Sequence, residues 1–320
     1  MKRIGLLTSG GDAPGMNAAI RAVVRTALYY GMEVYGIERG YAGLIEDKMT
    51  EMNMRSVSEI INRGGTMLRT ARCNEMMEKA GRKKAAAVLK ARGIEGLVVI
   101  GGDGSFRGAK ALTEEFGIAT IGIPGTIDND LEYTDYTLGF DTAVNTNINI
   151  VNMLRDTMNS HERISVVEVM GRHCGDIALY TGIGSGAEII ILPEIKYDME
   201  DVVMRIRRSR DSGKHSNIIV VAEGVCSADE FARELKSLTD YAVRTTTIGH
   251  IQRGGSPTMA DRMLAAQFGN KAVRLLKENA ASRAVGIKKN KIIDMDIIEA
   301  VEMKKKLNYE LYETLQMISM

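Results

Sequence analysis

Two features of the 320-residue sequence predict an α/β fold with parallel sheets. Short β-rich runs alternate with amphipathic helical patterns along most of the chain. Several of those runs are apolar on both faces, as strands buried between helix layers must be. In chain order the expected strands are Ile4–Thr8, Glu33–Ile37, Gly96–Ile100, Ala119–Ile123, Ser165–Val169, Glu188–Leu192 and Ile218–Ala222. The expected helices are Gly15–Tyr30, Lys83–Arg92, Gly108–Phe116, Asp141–Asn159, Met199–Ser212, Ser227–Leu238, Met259–Glu278 and Asp294–Tyr309. The first shows the pattern clearly, since Met16, Ile20, Val23, Val24 and Ala27 recur at the spacing of one helix face. A chain of this length makes one large or two moderate domains and buries about 75% of its unfolded surface, so it needs no disulfide or metal staple. No linker rich in Pro, Ser or Gly divides it, so two domains would share a close interface.

Composition excludes several functions. Lys and Arg number 42 against 41 Asp and Glu, a net charge of +1, which gives no global attraction to nucleic acid or a membrane surface. No apolar run approaches the length of a membrane span. The basic N-terminus has only Ile4–Leu7 as an apolar run, too short for a secretion signal. Cys73, Cys174 and Cys226 are widely spaced with no CxxC, which argues against a disulfide framework or zinc knot. A reducing compartment, the cytoplasm, is the expected location. Lys288–Lys291 and Lys304–Lys306 read as solvated faces.

Glycine-rich strand–turn–helix junctions carry the first chemical signal. They are Thr8–Asn17 (TSGGDAPGMN) and Gly101–Ser105 (GGDGS). Glycine lets backbone N–H groups approach a ligand, and the following helix N-terminus favours an anion such as phosphate. In open α/β sheets, ligands collect at these carboxyl ends of strands. Either loop alone reads equally as a tight turn, but a triphosphate needs more than one cradle. Neither matches a Walker A loop or GxGxxG. Asp103 would repel phosphate unless it holds Mg²⁺, and its other reading is a helix cap.

A second signal is the segment Pro124–Asp130 (PGTIDND), which follows a strand. On an extended backbone, Asp128 and Asp130 would point to one side, and either could be the base that phosphoryl transfer to an alcohol requires. An Asx turn reads from the same spacing. Basic residues gather beside glycines at Met170–Gly175 (MGRHCG) and Gly249–Gly255 (GHIQRGG). Arg beside Gly is the composition of an oxyanion clamp, with Arg163 and Arg244 as further candidates, although each Arg alone reads as an ion-pair residue.

Taken together and in this order, GGDAPGMNAAIR (10–21), GGDGS (101–105), PGTIDND (124–130), MGRHCGDIAL (170–179) and GHIQRGGSP (249–257) resemble bacterial 6-phosphofructokinase. The resemblance runs from Met1 to about Gly286. It implies two doubly wound, Rossmann-like domains with a cleft between them. Residues 1–139 plus 252–301 would form the larger, nucleotide-binding domain, and residues 140–251 plus 302–320 the smaller, sugar-phosphate domain. It implies transfer of the γ-phosphate of ATP to the 1-hydroxyl of fructose 6-phosphate, with Asp128 as base. Thr126 and Arg172 would steady the migrating group, and Asp130 would support them. Gly11, Tyr41, Arg72, Cys73 and Gly102, Asp103, Gly104 and Ser105 match nucleotide positions, with Asp103 serving Mg²⁺. Arg163, Arg244, His250 and Arg253 would hold the sugar phosphate, and Met170, Gly171 and Glu223 would contact the sugar. In the family, Arg163 and Arg244 reach in from a neighbouring subunit of a homotetramer.

Two further implications concern donor and control. Pyrophosphate-dependent relatives place Asp where Gly104 stands and Lys where Gly125 stands. An Asp at 104 would crowd and repel the α-phosphate, so ATP is the expected donor. The rival readings are a pyrophosphate-dependent enzyme and a catalytically silent nucleotide sensor. Arg21 and Arg25 lie one helical turn apart, which by itself reads as a solvated helix face. With Arg55, Arg155, Gly186 to Glu188 and Lys214 they match an effector site for ADP and phosphoenolpyruvate. Ser212 and His215 stand where many or some members carry further cations, which would weaken phosphate binding there.

Overall fold

The protein is described by a computed structural model covering residues 1–319. Its elements are, in chain order, β1 (Arg3–Thr8), α1 (Met16–Tyr29), β2 (Glu33–Ile37), α2 (Gly40–Ile45), β3 (Met49–Met52), α3 (Lys79–Ala91), β4 (Gly96–Gly101), α4 (Asp103–Phe116) and β5 (Ala119–Pro124). Then come α5 (Phe140–His161), β6 (Ile164–Val169), α6 (Asp176–Ser185), β7 (Ile189–Ile191), α7 (Met199–Asp211), β8 (Asn217–Ala222), α8 (Ala228–Leu238) and β9 (Val243–Thr247). The chain closes with α9 (Met259–Lys277), β10 (Arg283–Lys288), β11 (Lys291–Asp296), α10 (Ile297–Glu302) and α11 (Tyr309–Ile318). Contacts divide these into two compact units. The first holds Met1–Ile127, Leu131–Thr142 and Arg253–Lys304; the second holds Asp128–Asp130, Ala143–Gln252 and the segment from Lys305. The last position of the 302–320 span expected for the sugar domain, Met320, lies outside the described residues.

The first unit is built on a seven-stranded sheet ordered β11-β10-β5-β4-β1-β2-β3. Its five central strands are parallel, but β3 and β11 run antiparallel at the two edges, a departure from the purely parallel expectation. Both edge strands are partly exposed and carry no continuous apolar run, the signal by which buried strands are legible. On one face, Leu7, Ile37, Leu97 and Val99 meet Leu44, Leu89, Phe106 and Ile297 from α2, α3, α4 and α10. On the other, α1 packs along α9, which also lies against β5. The strand order reverses between β1 and β4, a topological switch point.

The C-terminal part corrects two expectations. The helix expected over Asp294–Tyr309 is interrupted: Asp296 ends β11 and caps α10 through Ile298 N, and Asn308 starts α11 as a new cap. Lys288–Lys291 is the tip of the β10–β11 hairpin, with Lys289 and Asn290 both at positive φ (49° and 60°) as a type I′ turn requires. Lys305 is not solvated. It pairs with the buried Asp176 at 3.0 Å.

The second unit has four parallel strands in the order β7-β8-β6-β9. Val166, Ile189, Ile219 and Val221 from the sheet pack on Val202 and Ile206 of α7 and Phe231 and Leu235 of α8. Helix α6 went unpredicted because DIALYTGIGS is buried almost all round and shows no apolar stripe. Among the described residues, no helix is long and apolar enough to cross a membrane.

Candidate active site

In the first unit, register brings three loops side by side. Thr8 pairs with Ile100, and Gly101 with Pro124, so the chain leaves β1, β4 and β5 at one level. Two backbone bonds extend the alignment: Ser9 N–H donates to Ile100 O (2.9 Å) and Gly125 N–H to Gly101 O (3.0 Å). Helices α1 and α4 both begin on glycine, Gly15 and Gly102, with no side-chain cap. Helices α7 to α11, by contrast, each start on a capping side chain. Met16 N–H donates to Ala13 O (3.2 Å) and Ser105 N–H to Gly102 O (3.0 Å), so the first-turn N–H groups that can serve an anion are those of Asn17 and Ala18 in α1 and of Asp103 and Gly104 in α4. A Cβ at Gly11 would lie 2.5 Å from the Arg253 guanidinium, which donates to Asp12 O at 3.0 Å and would have to shift. At Gly104 a Cβ would meet nothing within 4 Å. Thr126 lies beside Gly102, 3.5 Å from where a Cβ would stand.

The other residues expected on this side have distinct places. Thr70 Oγ donates to Gly10 O (2.7 Å) and Thr8 Oγ to Arg69 O (2.8 Å), which draws the segment holding exposed Arg72 and half-buried Cys73 to the first loop. Tyr41 is buried under α4, its ring against Gly108 and its hydroxyl donating to Ser105 O at 2.7 Å. Burial pushes that phenol well above its usual range.

Asp103 is the first residue of α4 and pairs with Arg107 at 2.8 Å, both side chains substantially exposed. Among the described residues, no group of three or more His, Cys, Asp or Glu could hold a metal ion. A single accessible carboxylate beside two phosphate cradles fits Mg²⁺, which is commonly held by one or two carboxylates, substrate phosphates and water. The exposed pair with Arg107 is weak enough to exchange.

Just beyond Ile127, residues Asp128–Asp130 count with the second unit. The segment is not extended: it bends at Ile127–Asp128, and Asn129 takes a left-handed conformation (φ 52°), so the geometric argument from an extended backbone does not apply. Instead Asn129 Nδ2 donates to Asp176 Oδ2 (2.9 Å) and Cys174 Sγ lies 3.9 Å from Asn129 O. Asp128 is 5% exposed. The Met170–Gly175 loop is thereby held to Asp128–Asp130. Burial also pushes the Cys174 thiol up, so it stays protonated at neutral pH.

The same end of the second sheet gathers the sugar-side residues. Val169 pairs with Ala222 and Glu168 with Thr247, which sets Met170 level with Glu223 and Val169 level with Ile248. Glu223 N–H donates to Val169 O (2.8 Å), and its carboxylate accepts from Arg172 N at 3.3 Å. Arg172 is exposed and takes a left-handed backbone conformation at φ 48°.

The comparisons with known proteins decide the family. A phosphofructokinase family model matches residues 3–276. The chain belongs to the phosphofructokinase family. It is 58% identical over 313 residues to ATP-dependent 6-phosphofructokinase 1 of Clostridium perfringens, covering 98% of each chain. It is 57% identical over 319 residues to ATP-dependent 6-phosphofructokinase of Clostridioides difficile, covering 100% of each. The crystal structure of Pichia pastoris phosphofructokinase in the T-state superposes with a TM-score of 0.92 at 36% identity, over 98% of this chain and 37% of that longer one.

For a phosphofructokinase-family chain, the arginines are unevenly placed. Arg253 sits with Gly11, and exposed His250 lies beyond β9. Arg163 precedes β6 and Arg244 is the second residue of β9, paired with Ser165. Both are at the opposite end of the sheet from Met170 and Glu223, about 17–23 Å away at the usual strand rise. The effector candidates also fall into two sets. Arg21, Arg25 and Arg55 are in the first unit, where partial burial and Arg25 lower the pKa of Arg21. In the second, Arg155 donates to Ser185 O (2.9 Å) and Gly186 O (2.7 Å) and pairs with Glu188 at 3.2 Å. Lys214 pairs with Glu188 too. Two supporting residues escaped the sequence reading. Gln252, fully buried, accepts from Met170 N (3.2 Å) and Asn147 Nδ2 (2.9 Å), and Asp176 anchors Asn129. A glutamine inside a glycine-rich motif was the available signal for the first.

Proposed function

We propose that the chain transfers the terminal phosphoryl group of ATP to the 1-hydroxyl of fructose 6-phosphate, giving fructose 1,6-bisphosphate and ADP. One observation supports this reading: the uncapped, glycine-started helix α4 lies beside Thr126, and two residues later the Asp128–Asp130 segment is tied through Asn129 to Asp176 and to Cys174 of the Arg172 loop. The backbone N–H groups of α1 and α4 bind the phosphates, and Asp103 holds Mg²⁺. That ion, when bound, neutralises charge on the phosphate oxygens. Asp128 takes the hydroxyl proton as oxygen attacks phosphorus and the bond to the ADP oxygen breaks. Thr126 and Arg172 steady the migrating group, with Asp130 in support. Met170, Gly171, Glu223, His250 and Arg253 orient the sugar phosphate. Arg163 and Arg244 act on the neighbouring subunit of a homotetramer, and the enzyme works in the cytoplasm. The larger, nucleotide-binding domain is 1–139 plus 252–301 and the smaller, sugar-phosphate domain 140–251 plus 302–320.

A coupled assay on purified protein tests the reading. ATP with Mg²⁺ is expected to support turnover, and pyrophosphate is not. Turnover with pyrophosphate alone, or nucleotide binding with no turnover at saturating fructose 6-phosphate, would overturn it. Because Gly104 faces open space, Gly104→Asp is expected to fold normally yet lower kcat/KM for ATP by roughly 10-fold or more through charge repulsion. A melting curve and donor kinetics check both halves.

The Arg155–Glu188–Lys214 cluster, with Arg21, Arg25 and Arg55, supports an effector site for ADP and phosphoenolpyruvate. Lys214→Ala removes one cation and is expected to raise the ADP concentration for half-activation by roughly 5- to 10-fold while leaving kcat unchanged. An unaltered activation curve would remove Lys214 from the site.

A further inference from the structure

Asp261, in the first turn of α9, is fully buried and lies outside the machinery above. It does not cap its own helix, a role taken by Thr258. Its carboxylate instead receives the start of α5. Oδ1 accepts from Gly139 N at 2.8 Å, and Oδ2 from Thr142 N at 2.9 Å and Thr142 Oγ at 2.5 Å. The link is reciprocal: Thr258 N–H donates to Thr142 Oγ (3.0 Å), and Thr258 Oγ donates to Asp141 Oδ2 (2.5 Å). Burial pushes the Asp261 carboxyl up to about 6 against the opposing effect of these donors. A buried carboxylate is a costly anchor for two helices, because an apolar contact would hold them without desolvating a charge.

What the carboxylate fixes explains its use. Gly139 sits at φ 97° with no room for a side chain: a Cβ would lie 2.7 Å from Ala13 and 3.1 Å from Pro14. Gly15 faces Asp261 itself, with 3.5 Å between the Cβ positions. The turn Ala13–Gly15 therefore rests on this junction. Just before Gly139, Leu138 N–H donates to Pro124 O (2.9 Å) and bridges Gly125. Buried Thr137 donates its hydroxyl to Thr126 O at 2.6 Å. A short, fully bonded path thus runs from Asp261 to Thr126 on one side and packs against the α1 loop on the other.

We propose that Asp261 is a positioning residue for phosphoryl transfer, fixing the Gly125–Thr126 backbone against the Ala13–Gly15 turn through Gly139, Leu138 and Thr137. The proposal rests on the function proposed above. A displacement of about 1 Å at a reacting centre costs roughly 100-fold in rate, so a lost tie should appear in kcat. The test uses the full-length chain with Asp261→Asn, Thr142→Val and Thr142→Ser. Asp261→Asn is expected to melt cooperatively, lose roughly 10- to 100-fold in kcat and keep both KM values within about threefold. The Leu138 and Gly139 amides should exchange hydrogen faster, with those of β2 unchanged. Thr142→Val should reproduce the kcat loss, and Thr142→Ser, which keeps the hydroxyl, should restore it. Wild-type kcat with only a lowered melting temperature would overturn the proposal, as would equal losses in Thr142→Val and Thr142→Ser. Should Asp261→Asn fail to fold, the Thr142 pair decides. A wild-type chain without turnover would count against the function instead, and the exchange comparison would then decide the tie by itself.

Discussion

Asp128→Asn is expected to lower kcat by roughly 10²–10⁴-fold, the usual contribution of a positioned base. Asn keeps the size of the side chain but cannot take the hydroxyl proton. Asp128 is 5% exposed, and the segment around it is held by Asn129 to Asp176 and by Cys174, so the fold should tolerate the change. KM for ATP should stay near the wild-type value, because the N–H groups proposed to bind the phosphates belong to α1 and α4. A steady-state comparison with product analysis checks this. Wild-type kcat with phosphorylation at C1 would assign the base elsewhere.

The second large effect comes from mixing inactive variants. Arg163 and Arg244 stand at one end of the second sheet, and Met170 and Glu223 at the other. An arginine side chain cannot bridge a strand's length, so within one chain these residues cannot meet at one sugar phosphate. Arg244→Ser is expected to cost roughly 10- to 100-fold in kcat/KM for fructose 6-phosphate, the scale of a lost charge-assisted contact. Co-refolding Arg244→Ser with Asp128→Asn should then recover up to about a quarter of wild-type activity, because a site that combines one subunit's Asp128 with its neighbour's Arg244 is intact in that fraction of random pairings. Native mass spectrometry would confirm that mixed assemblies form. Mixed assemblies with no recovered activity would show that Arg244 does not serve a neighbour.

What the sequence disclosed followed from where burial is complete. β4, read as Gly96–Ile100, is buried throughout and ends one residue later, at Gly101. The edge strands β3 and β11 escaped because one exposed side breaks the apolar run. Helix α6 escaped for the opposite reason, being apolar on every side. The uncapped glycine starts of α1 and α4 were legible because a turn of bare backbone is a demand written in residue type. Asp261, Gln252 and Asp176 were not, because a buried polar residue declares its role only through partners distant in sequence. Asp261 meets Gly139 across 122 positions, and Gln252 meets Met170 across 82.

The central claim is that the loop carrying Asp103 and the segment carrying Asp128 serve one reacting centre. Mn²⁺ substituted for Mg²⁺, bound with a non-hydrolysable ATP analogue, offers the direct test through nuclear relaxation of fructose 6-phosphate. Strong relaxation of the C1 protons, lost in Asp103→Ala, is the expected result. Full occupancy of both ligands with C1 relaxing no faster than in the metal-free complex would contradict the account.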